Sequence, residues 1–175
     1  MAHHASSTVI QQLIPREDMT ELELLLLAYV FYAEEHEAGF YFYTDDGPAS
    51  FITVSRDRLA AALAASQHTS SEMNAYVAER LPGLEPYGDG WVDLDLSGTD
   101  WTFILQDIVA RSKSLNYLTA VTSFTSSKLR PDALGGLAVL VTAEEVTGKS
   151  TNEILEDLLE NAGLTQAPER RAVAA

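Results

Sequence analysis

The sequence predicts an α+β fold: a single domain in which a mostly antiparallel sheet is packed by about five helices. Three observations predict it. Five segments show helical periodicity behind a capping residue. Five others are short apolar or alternating runs rich in β-branched and aromatic residues, and neighbouring runs are joined by Gly, Pro and Asp turn signals. Neither an internal repeat nor a linker interrupts residues 13–163, so the 175-residue chain reads as one domain, a size that buries roughly 70% of its unfolded surface.

Taken in order, residues 1–12 are expected to be a flexible tail. Thr20 and Glu23 then form a Thr-x-x-Glu capping box ahead of a helix over 21–35 that is apolar nearly all round, the mark of a central core helix. Aromatic runs at 40–44 and 51–54 flank Asp45-Asp46-Gly47-Pro48 and predict a hairpin. Ser55 caps a helix over 56–65, and Ser70 or Ser71 caps another that stops at Pro82-Gly83. Val92, Leu94 and Leu96 alternate with Asp93 and Asp95 in a half-buried strand. Thr99 or Asp100 opens an amphipathic helix whose stripe is Trp101, Ile104, Leu105, Ile108 and the stem of Arg111. Strands over 117–126 and 136–142 are joined by a turn at Arg130-Pro131-Asp132 and Gly135. A last helix over 151–162 buries Ile154, Leu155, Leu158 and Leu159 and ends at Gly163, with residues 164–175 as a disordered tail.

Composition excludes several chemistries. The absence of cysteine removes disulfides, thiolate metal sites and cysteine nucleophiles. No apolar run approaches the ~20 residues of a membrane span, so a cytoplasmic protein is expected. A net charge of −15 opposes direct binding to nucleic acid or to an anionic membrane. The charge is uneven: residues 1–110 hold 18 acids against four bases, whereas 111–149 hold five bases, Arg111, Lys113, Lys128, Arg130 and Lys149, against three acids.

Two motifs carry chemistry on their face. Ala143 through Ser150 fits a permissive phosphate-binding loop, but Ala143 replaces the first glycine and Glu144 and Glu145 would repel a phosphate. Ser150 and Glu153 read instead as a capping box, with Gly148 and Lys149 making the turn before it. Asp93, Asp95, Ser97 and Gly98 match the start of an EF-hand loop whose closing position is Ile104, which cannot ligate calcium. No cofactor and no metal is therefore expected, and His36 lacks the partners a metal site needs. Strand alternation puts Phe40 and Phe42 on one face and Tyr41 and Tyr43 on the other. The tyrosines then either lie on an exposed interface or sit under a second layer of helices.

The segment 111–144, with Ser127-Lys128-Leu129-Arg130-Pro131-Asp132 and Gly135-Gly136, resembles small acidic proteins of bacterial plasmids and integrative elements over about a fifth of the chain. The resemblance implies a bacterial, mobile-element setting. Charge and motifs together point to a non-enzymatic interaction protein that engages a basic protein. Its sharper form is a nucleic-acid mimic, an anti-defence inhibitor of a nucleic-acid-binding protein. The candidate contacts are Glu34, Glu35, Glu37, Asp45, Asp46, Asp93, Asp95, Tyr41 and Tyr43. A dimeric chaperone or assembly module is one alternative. A nucleotide or anionic-ligand binder using Lys128, Arg130 and Lys149 is the other.

Overall fold

The computed structural model describes residues 4–126 and 133–164. Among them, eight strands and five α-helices follow one another as β1 (His4–Ile10), α1 (Glu21–Val30), β2 (Tyr32–His36), β3 (Gly39–Thr44), β4 (Phe51–Ser55), α2 (Arg56–Ala65), α3 (Glu72–Arg80), β5 (Trp91–Asp95), α4 (Trp101–Arg111), β6 (Leu118–Ser126), β7 (Leu134–Val141), β8 (Val146–Ser150) and α5 (Thr151–Asn161). Six strands form one antiparallel sheet in the order β2-β3-β1-β6-β7-β8, and β4 and β5 pair separately. The fold is α+β, as the sequence predicts.

Register explains which side chains are covered. Thr8, Ile10, Phe42, Leu118, Ala120, Thr122, Val139 and Val141 share one face of the six-stranded sheet and are buried with Leu22, Leu26 and Leu27 of α1 and Ile104, Leu105 and Ile108 of α4. The alternate residues stay half-buried or exposed: Val9, Tyr41, Tyr43, Val121, Ala138 and Leu140. The inner face is not wholly apolar. Thr8 and Thr122, opposite each other on β1 and β6, satisfy their buried hydroxyls with one 2.9 Å hydrogen bond.

Helix boundaries follow their caps. Thr20 and Glu23 complete the expected box at α1, Ser55, Ser71 and Asp100 cap α2, α3 and α4, and Ser150 with Glu153 boxes α5. Glu23 does more than cap. Its carboxylate is fully buried and takes both a bond from the Thr20 amide and two from Arg111 Nη2, at 2.7 and 2.6 Å, clamping the start of α1 to the end of α4.

Several expectations are corrected. Residues 4–10 are not a tail but strand β1, hydrogen-bonded between β3 and β6; their small polar residues concealed a strand whose buried positions include a threonine. The helix expected to reach residue 35 stops at Val30, because Phe31 turns extended and Tyr32–His36 pairs with β3. The expected hairpin of 40–44 with 51–54 does not form. The Ala49 amide bonds to the Val30 carbonyl, and β4 is delivered to β5 in the other sheet. Gly148 and Lys149 lie inside strand β8 rather than in a turn. The stripe of α5 is not buried, since Ile154, Leu155, Leu158 and Leu159 are 43, 56, 59 and 42% exposed. The expected turn at 130–132, most of the resemblance segment's motif at 127–132, and residues 165–175 of the expected tail lie outside the described residues.

Candidate functional site

The outward face of β2 and β3 gathers the expected tyrosines with one of the expected acids. Pairing Tyr32 with Tyr43 and Glu34 with Tyr41 places Tyr32, Glu34, His36, Tyr41 and Tyr43 on the same side of the sheet. The Tyr41 and Tyr43 rings stack at 5.3 Å, and Tyr32 lies against Tyr43 at 5.5 Å. The Tyr43 hydroxyl donates to Glu34 at 2.9 Å, and His36 Nε2 stands 3.8 Å from the same carboxylate. That hydrogen bond, then burial, then the negative charges of Glu34 and Asp45, push the Tyr43 phenol above its ordinary range. Tyr41 and Tyr43 are half-buried, while Tyr32 beside them is 57% exposed.

The other expected acids do not continue this group as one row. Glu35 points to the opposite face of β2, beside Phe40, and Glu37 lies in the exposed turn before Gly39. Asp45 and Asp46 follow β3, where the Asp46 amide is held by Thr44. Asp93 and Asp95 belong to the separate two-stranded sheet. Asp93 accepts from Thr53 at 2.7 Å and Tyr87 at 2.8 Å, and Asp95 accepts from the Ser97 amide at 2.7 Å. These bonds hold both carboxyls below the usual range, Asp93 through Thr53 and then Tyr87, Asp95 through Ser97. A contiguous ladder of carboxylates spaced like phosphates is therefore not built from these seven residues.

Around Asp93 and Asp95 the small sheet exposes Phe51, Tyr87 and Trp91, a surface the sequence reading did not single out. The signal was present in the alternation: Phe51 and Trp91 occupy the same solvent-facing phase as the two aspartates.

Lys149 sits on edge strand β8 with its ammonium on the Asp157 carboxylate of α5, which raises the lysine's pKa. At the start of α5 the Glu153 carboxylate accepts the Ser150 amide at 2.7 Å and its hydroxyl at 2.6 Å. A side-chain carboxylate occupies the place an anion would take, and the backbone before it is extended rather than wrapped into a cradle. Lys128 and Arg130 lie outside the described residues. Among the described residues no three His, Asp or Glu side chains converge as a metal site, and no helix is long and apolar enough to cross a membrane.

The concavities among the described residues include two that α1 helps to line. One, of about 300 Å³, lies between Val30, Pro48, Ala49, Met73, Leu96 and Trp101. The other is an open groove of about 590 Å³ between α1 and α2, floored by Leu24, Leu25, Ala28, Ala61, Ala62 and Ala65. No family model matches the chain, and neither the curated proteins nor the solved structures yield a match.

Proposed function

We propose that the chain is a protein-interaction module that presents the Tyr32, Glu34, Tyr41 and Tyr43 face to a basic protein. The observation that carries this reading is a tyrosine cluster, half-buried at the stacked Tyr41 and Tyr43 and exposed at Tyr32, beside a carboxylate on a chain of net charge −15. Tyrosine supplies large contact area with a polar tip, and the surrounding acids supply attraction and a fast, salt-sensitive encounter. Within this reading, a nucleic-acid-binding protein is the natural basic partner, and a nucleic-acid mimic would be its sharper form. The scatter of the acids favours a short-range contact at the β2–β3 edge over imitation of a phosphate backbone. Glu37 and Asp46 then act through the field, Glu34 through contact.

The test is capture of basic proteins from the native host at low salt, elution along a salt gradient, and titration of the recovered partner against variants. Tyr41→Ala with Tyr43→Ala, and Glu34→Lys with Glu35→Lys, are expected each to weaken binding at least about tenfold, the charge variant chiefly through the association rate. Binding indifferent to both salt and these variants refutes the proposal. A second reading, an assembly module, is favoured by one observation: an amphipathic helix whose apolar side faces solvent.

A further inference from the structure

The six-stranded sheet carries an open apolar surface near each of its two edges. We propose that these surfaces close on each other between two copies of the chain, each copy's α5 lying in the α1–α2 groove of the other. This contact uses neither the tyrosine face nor its acids, so it stands or falls apart from the reading above.

The helix is made for burial and is not buried. Ile154, Leu155, Leu158 and Leu159 form one side of α5 over two turns, and all are more than two-fifths exposed. Its other residues include Glu153, Glu156, Asp157 and Glu160 and no cation. The groove is the matching shape. Ala28, Ala61, Ala62 and Ala65 keep it shallow enough for a helix axis to approach to ~8–10 Å, and Leu24, Tyr29 and Phe40 supply apolar walls. The helix beneath, α1, is apolar nearly all round, yet Ala28 is exposed and Leu24 and Tyr29 are half-buried, so its covering is incomplete.

Charge selects the occupant. Arg58 stands on the groove's rim with no ion pair to its guanidinium among the described residues, while Glu21 on the same rim is already paired with Arg16. An acidic helix suits that rim. Two α5 helices packed on each other would meet no such unpaired cation, because the Lys149 ammonium beside each helix is already held by Asp157. The chain's own α5 cannot fill its own groove. It is tied to the β7–β8 edge by Thr151 accepting from the Gly136 amide and by the Lys149–Asp157 pair, about 24 Å of strand spacings from β2. Reciprocal seating gives a closed two-fold dimer and doubles the surface buried, toward the ~800 Å² per partner of a standard interface.

The absence of cysteine makes the contact directly testable. Full-length Ala61→Cys and Leu158→Cys proteins are mixed and gently oxidised, and the products are resolved without reductant. A mixed disulfide between the two variants is expected, since only an intermolecular contact brings those positions within the ~7 Å between Cα atoms that a disulfide spans. In parallel, sedimentation should find the native chain dimeric at about 100 µM. Leu155→Glu with Leu159→Glu should be monomeric with an unchanged circular dichroism spectrum, because both side chains face solvent in the monomer, and Arg58→Glu should raise the dimer Kd about tenfold or more. A monomeric native chain, a dimer that survives the α5 variant, a species larger than a dimer, or cross-linking of Leu158→Cys only to itself overturns the proposal.

Discussion

Replacing Arg111 with methionine should be among the most damaging single changes to the fold, and Glu23→Gln distinctly milder. The Glu23 side chain is 0% exposed and Arg111 26%. With the guanidinium removed, a carboxylate stays in the interior facing a thioether, and breaking a buried pair in this way costs about 3–5 kcal/mol. Glu23→Gln removes the charge but keeps an acceptor for the Thr20 amide, and the arginine it leaves unpaired is 26% exposed rather than fully buried; its cost is about 1.5–3 kcal/mol, that of a charge-assisted hydrogen bond. For a chain of this length each kcal/mol moves Tm by about 2–4 °C, so Arg111→Met should lower Tm by roughly 6–20 °C. Urea unfolding followed by circular dichroism and by tryptophan fluorescence reads both variants and the double variant. The double variant should be more stable than Arg111→Met alone, because no lone charge remains buried. If Arg111→Met lies within about 1 kcal/mol of the native chain, or Glu23→Gln costs more, the clamp between α1 and α4 does not work as described.

Three further outcomes follow from the same geometry. Gly39 has φ of 140°, and a Cβ there would lie 2.4 Å from the Ile14 carbonyl oxygen, so Gly39→Ala should cost about 3 kcal/mol or more in urea unfolding and separate β3 from residue 14. Thr8→Val strands the Thr122 hydroxyl and should cost about 1–3 kcal/mol, whereas Thr8→Val with Thr122→Val should recover most of the loss in the same assay. Asp93 should titrate by NMR below the ordinary aspartate range. Its folded pKa is lowered, so the stability it contributes is present above that ordinary range and is lost as pH falls through the lowered value. Thr53→Val with Tyr87→Phe should move its midpoint up, while Asp95, held by Ser97, keeps its own low midpoint.

Caps and alternation were legible in the sequence because they are local. Thr20 with Glu23, Ser150 with Glu153, and the phase of Val92 and Leu94 all depend on residues within a turn or two of each other. What escaped depends on distant partners. Tyr32-Ala33-Glu34-Glu35-His36 carries good helix formers and becomes a strand only because β3 is there to pair with it. His4–Ile10 hides its periodicity because Thr8, a polar residue, is at a buried position made tolerable by Thr122, more than a hundred residues away. At the candidate site, the tyrosine phase could be read from alternation, but the gathering of Glu34 onto it required the register of β2. The burial expected of the α5 stripe failed for a different reason: amphipathicity states that a helix needs a neighbour, not that its own chain supplies one.

The position of β1 constrains how the chain is born. It precedes β2 to β8 in the chain, yet it lies between β3 and β6, and β6 begins at Leu118. At about 5–20 residues per second of synthesis, β1 waits on the order of ten seconds on the ribosome for the partner that completes it. During that interval the nascent chain can offer only the β2–β3 side of the sheet, and closure is a long-range event whose loop entropy is met only once β6 has been made. Anything that binds β1 in that interval competes with its pairing to β6.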